Sequence, residues 1–256
     1  MAHSHVPVMS QSTPGGSTSL EPGVARGLRI AGNFTLSVTA FYQLLLLGAI
    51  FASIALTGNA FFPDLGTNAG LAYTALYPTV VTFGYIADAV GNTVVVVTIA
   101  AVFVALRTRW PMWAQLILLA GFGSLLAVWG KALVSMDMAS SLSASYLAAG
   151  TVGKATLLPL GGVAAAIWQG LQDLDTYALI AAWILIACLP KATGMPRLVR
   201  WVGMALSVAF VLPFGPIGFF IATVLTPIWA IPLGLWLKRE ATAQVTSTPA
   251  ASGARV

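Results

Sequence analysis

The sequence predicts an all-α fold: a polytopic transmembrane helical bundle of six spans, with helical cap segments on its outer face. The chain is too apolar for water, its apolar runs are as long as a bilayer crossing, and its basic residues cluster between those runs. Of 256 residues, 58% are hydrophobic and 7% charged, against about 25% charged in soluble domains. The mean hydropathy is +0.90. A soluble fold is excluded. Apart from Lys131, Lys154 and Arg255, every Lys and Arg falls in one of four clusters: Arg26/Arg29, Arg107/Arg109, Lys191/Arg197/Arg200 and Lys238/Arg239. Basic loops stay on the cytoplasmic side during insertion, so an even number of crossings separates each cluster from the next. Asp64, Asp88, Asp137, Asp173 and Asp175 all lie in the intervals, whereas Glu21 and Glu240 sit beside clusters. The net charge of +5 thus reflects topology. Nucleic acid is not an expected partner, because no aromatic or Gly-rich recognition motif interleaves the basic residues.

Residues 1–25 are rich in Ser, Pro and Gly, and residues 1–30 read as a disordered cytoplasmic tail without an apolar targeting segment. A crossing needs about 20 apolar residues for a hydrocarbon core of roughly 30 Å. Residues 37–57, 86–106 and 112–134 meet that requirement. Residues 201–237 are too long for one span and are broken by Pro213-Phe214-Gly215-Pro216, which predicts a tight pair of helices. Pro227 and Pro232 read as kinks in the last span. Between these regions, one crossing is expected over residues 168–190, with 140–166 forming an outer-leaflet or re-entrant helix. A second crossing there would put the last two basic clusters opposite the first two. Seven crossings is the alternative, since long apolar runs can override loop charge. Residues 58–82 and 135–166 then build the outer cap, residues 31–240 form the transmembrane domain, and residues 241–256 are a second disordered cytoplasmic tail. Trp110, Trp113, Trp201, Trp229 and Trp236 fall mainly near span ends, where interfacial aromatics belong. Cys188, inside an apolar run, has no partner for a disulfide or a metal and reads as a small core hydrophobe.

Three short motifs, Gly84-Tyr85-Ile86-Ala87-Asp88, Gly194-Met195-Pro196-Arg197 and Leu235-Trp236-Leu237-Lys238, look similar to those of an uncharacterised six-helix bacterial integral membrane protein family, a domain of unknown function. The resemblance covers roughly residues 30–240. It implies six spans with cytoplasmic termini and implies no activity. Two departures stand out: relatives usually carry a Glu where this chain has Ala230, and a His opening the fourth span, where this chain has none.

Ionisable groups inside spans are costly and are functional suspects by default. Asp88 precedes Leu106 by 18 residues, and Lys131 follows Met112 by 19. At 1.5 Å rise per residue they sit about 27 and about 28 Å from the cytoplasmic ends of neighbouring helices. An Asp88–Lys131 ion pair near the outer edge of the hydrocarbon follows. Asn92 lies one turn below Asp88 and Tyr85 above it, so these residues, with Lys154 and Asp137 from the cap, compose a candidate outward-facing polar pocket. A purely structural pair, mutually neutralised or snorkelling to headgroups, competes with that reading. Gly123/Ala127 and Ala120/Ser124 permit close helix approach, within the chain or between two copies. HExxH, GxSxG, a nucleotide loop and paired intramembrane aspartates are all missing, and His3 and His5 are too near the start to trust as a metal pair. No catalytic residue, cofactor or metal site is expected.

These observations lead to a non-enzymatic multi-pass protein of a bacterial plasma membrane, an accessory, sensing or stress-related component with both termini cytoplasmic. The alternative is a small permease or ion-coupled transporter using the Asp/Lys pocket. Expected partners are membrane lipid and a membrane-protein partner or a second copy.

Overall fold

The computed structural model describes residues 22–39, 66–211 and 216–246, together with residues 44, 47, 48, 51, 54 and 55. Among the described residues the chain is helical, without strands. Helix α1 (Pro22–Phe34) runs into a π-helical turn (Thr35–Thr39). There follow α2 (Asn68–Leu76), α3 (Pro78–Leu106), α4 (Pro111–Ala148), α5 (Thr151–Ala187), a 3₁₀ turn (Lys191–Thr193), α6 (Arg197–Val211) and α7 (Pro216–Thr246). Prolines open α3 and α4, since the first turn of a helix has no use for the N–H that Pro lacks. Thr67 caps α2 by accepting from the Gly70 N–H at 3.0 Å. Among the described residues three helices, α3, α4 and α5, are long and apolar enough to cross a membrane.

Helices α4 and α5, of 38 and 37 residues, are about 57 and about 56 Å long. Only Ala149 and Gly150 separate them, so they form one antiparallel hairpin with α3 packed on α4. The separate outer helix expected for residues 140–166 is therefore not present. Residues 140–148 continue α4 and residues 151–166 open α5, because the Ser- and Ala-rich run before Gly150 carries nothing that stops a helix. Pro159 lies inside α5 without ending it, as Pro227 and Pro232 lie inside α7. More than half of the expected first span falls outside the described residues, as does most of the turn at 213–216, although α6 stops at Val211 and α7 starts at Pro216.

Residues 22–30 and 241–246 are helical rather than parts of disordered tails. Ala25, Leu28, Gly32 and Thr35 are all buried at helical spacing, and α1 uses this small-residue seam to pack against α7. The approach is close enough that a Cβ added at Gly32 would stand 2.9 Å from the Gly234 carbonyl oxygen, and one at Gly234 would stand 2.9 Å from that of Gly32. Ala241 is fully buried in the main core and holds the last turns of α7 in place.

That core runs through Ile99, Ile117, Trp183, Leu206, Trp229 and Leu233. Trp229 and Trp236 belong to it, at 0% and 3% exposure, rather than to an interfacial belt; Trp201, at 74%, is exposed. Cys188 is exposed too, because it lies just beyond the last residue of α5. The basic clusters meet at one end of the bundle. Arg109 lies 3.8 Å from Glu240, the Gly32 backbone abuts Lys238, and the short connections 107–110 and 188–196 both lie at that end of the α4/α5 hairpin. Within the second of these connections, Gly194 takes a left-handed conformation at φ 67°, which glycine adopts without steric cost. The Arg200 guanidinium donates to the carbonyls of Leu189 at 2.5 Å and Pro190 at 2.9 Å, satisfying groups left free where α5 ends. Toward the opposite end, Leu71 of α2 packs with Val81, Tyr85, Leu142, Tyr146 and Ala164.

Candidate functional site

Asp88 on α3 and Lys131 on α4 form an ion pair, Nζ to Oδ2, at 2.5 Å. Equal helical rise from two ends joined by a short turn brings them to one level, and the side chains face each other across the α3/α4 interface. Lys131 is 2% exposed and Asp88 is 15% exposed at its side chain. Asn92, one turn along α3, donates to Asp88 Oδ1 at 3.1 Å. Tyr85, buried on the turn before Asp88, neighbours Ser135 of α4. Four of the six expected pocket residues thus share one locality.

The other two lie elsewhere. Asp137 is six residues beyond Lys131, about 9 Å further along α4 and rotated about 120° away from it. It is exposed, and its backbone carbonyl accepts from the hydroxyls of Ser140 and Ser141. Lys154 belongs to the hairpin tip, with its ammonium 5.2 Å from the Tyr146 ring centroid. It precedes Gln172 by 18 residues, about 27 Å along α5. Both were assigned to the pocket on the expectation that a cap folds back over it, whereas the continuous helices carry these residues past it.

What the sequence reading missed is α5. Asp175 is 2% exposed, with Oδ2 4.0 Å from Lys131 Nζ and 3.5 Å from Asn92 Nδ2. Its Oδ1 accepts from the Ser124 hydroxyl at 2.5 Å. Gln172 Oε1 accepts from Lys131 Nζ at 2.5 Å, and the same ammonium stands 5.5 Å from the Trp168 ring centroid. Trp168, Gln172 and Asp175 occupy positions i, i+4 and i+7, one face of a helix. That spacing was the available signal: all three lie inside the expected 168–190 crossing, yet Asp175 was not weighed there as an intramembrane charge. Asn92 and Ser124 lie 14 residues before Leu106 and 13 after Pro111, about 21 and about 20 Å from those ends. The cluster therefore reaches inward from the ion pair toward the middle of the bundle.

Two carboxylates and one ammonium meet in a space closed to water on most sides. With all three ionised the cluster carries −1; with one carboxylate protonated it is neutral. An unmatched charge in low dielectric is expensive unless hydrogen bonds or a counter-ion compensate it. Asn92, Ser124 and Gln172 supply hydrogen bonds to both signs of charge. The arrangement can hold a proton, or a change of proton number, at the junction of three helices. Below it, Val95, Ile99, Leu179 and Trp183 fill the bundle toward the basic end. Thr98 is buried and donates to the Val94 carbonyl at 3.1 Å, with Thr35 3.2 Å away.

Compared with models of known protein families, with curated proteins and with solved structures, the chain matches none.

Proposed function

We propose that this chain is a non-enzymatic sensing component of a bacterial plasma membrane, crossing it six times with both termini cytoplasmic. Its working centre is the Asp88–Lys131–Asp175 cluster, whose proton occupancy sets how α3, α4 and α5 pack. The supporting observation is the convergence of three ionisable side chains from three helices. Ionisable groups at membrane depth are retained at a cost, which argues for a role beyond packing. The six-span topology is supported by the gathering of basic residues at one end and by the continuity of α5, which fits a single crossing by residues 151–187. Segments around residues 66–82 and the hairpin tip then form the outer face.

Hydrogen–deuterium exchange of the reconstituted protein between about pH 5 and about pH 8 tests this reading. Wild type changes protection in α4 and α5 across that range, and the change is abolished in Asp175→Asn, which removes the second carboxylate while keeping its size. Unchanged protection in wild type would overturn it.

The partial exposure of Asp88 favours a second reading, an ion-coupled permease that loads from the outer side. The apolar residues between the cluster and the basic end weigh against it, since conduction needs polar groups or water across the whole core. Substrate-dependent proton flux into vesicles that disappears in Asp88→Asn, with thermal unfolding unchanged, would select the permease.

A further inference from the structure

Where α5 ends and α6 begins, Ala187, Lys191, Met195, Arg197, Arg200, Trp201 and Met204 line a groove of about 650 Å³. We infer that this groove binds the headgroup and upper acyl chain of an anionic phospholipid. Its lining combines three cations with no acidic side chain. Lys191 and Arg197 are exposed, and neither has an ion-pair partner among the described residues. Arg200 spends two of its nitrogens on the Leu189 and Pro190 carbonyls, which fixes its guanidinium plane at the back of the groove. Five N–H groups on one guanidinium leave donors for a phosphate oxygen.

The remaining lining is apolar, and it continues in one direction. Trp201, Met204, Val208 and Val211 are exposed by 74%, 40%, 54% and 64%, at spacings of three, four and three residues that put them on one face of α6. Ile184, 39% exposed, extends the same surface on α5. A soluble phosphate would satisfy the cations and leave this stripe bare, whereas a phospholipid covers both. Trp201 stands at the boundary, where an indole bridges headgroup and acyl chain. The inference rests on the membrane reading above, yet it is independent of the charged cluster, which lies on the other side of the apolar core.

Native mass spectrometry of the detergent-solubilised protein, offered phosphatidylglycerol and phosphatidylcholine in equal amounts, tests it. Wild type retains phosphatidylglycerol preferentially. Lys191→Gln/Arg197→Gln lowers that retention about thirtyfold, taking both exposed cations as contributing at a lipid surface. Trp201→Ala weakens retention of both lipids. Arg200 is left intact because it secures the end of α5, and Asp175→Asn retains the lipid normally, so failure of the proton-sensing reading does not disturb this result. Equal retention by wild type and the double variant would overturn the inference. So would displacement of the lipid by inorganic phosphate at comparable concentration, which would reassign the groove to a free anion.

Discussion

Lys131 is the side chain on which the charge balance turns. Removing it leaves Asp88 and Asp175 facing each other without a cation, a net −2, whereas Asp88→Asn leaves Lys131 beside Asp175 at 4.0 Å and the cluster neutral. Breaking a buried pair so that a charge is uncompensated costs about 3–5 kcal/mol. Lys131→Met therefore lowers the thermal midpoint more than Asp88→Asn does, and Asp88→Asn/Lys131→Met recovers part of the larger loss. Strictly additive midpoint shifts in detergent would show that the pair does not couple. The Asp88–Lys131 contact was legible in the sequence because helical rise and a short turn fix relative depth without knowledge of the fold. Asp175 was not. It lies inside the expected 168–190 crossing, but which face of that helix meets Lys131 and Ser124 depends on how α5 packs on α4, and no short turn fixes its depth against Asp88.

At the level of elements, the α1/α7 crossing brings two backbones into close approach. Gly234→Val places a branched side chain where the Gly32 carbonyl and Leu36 already stand within 3 Å. Overpacking of this kind costs typically about 1–3 kcal/mol, so the variant unfolds at lower temperature and exchanges α1 amides faster. Gly162→Ala on α5 meets nothing within 4 Å, and its removal of backbone entropy stabilises by up to about 1 kcal/mol. A Gly234→Val protein as stable as wild type would deny the crossing. The long apolar helices were readable from composition. Helix α1 was not, because its buried seam consists of Ala, Leu, Gly and Thr and carries little hydropathy; its helical character emerges only against α7. The end of α4 was misjudged for a related reason: residues 135–148 are polar enough to look like a loop, yet contain no breaker until Gly150.

For the molecule as a whole, orientation is the decisive quantity, and the lone cysteine reports it. Cys188 is exposed at the basic end; in intact cells an impermeant maleimide leaves it unmodified, and permeabilisation exposes it. On a Cys188→Ser background, cysteines at the exposed positions Thr108 and Ala192 behave alike, whereas cysteines at Ser141 and Thr151 are labelled from outside. Labelling of Ala192→Cys in intact cells would sink the six-span arrangement. The hairpin adds a mechanical consequence. Lys131 lies 17 residues from the end of α4, so about 26 Å of paired helix extends beyond the charged cluster on the side away from the basic end. The cluster is placed like a fulcrum at the foot of a lever: a pivot of about 10° there, the motion the proposed proton sensing calls for, carries the tip through about 4.5 Å.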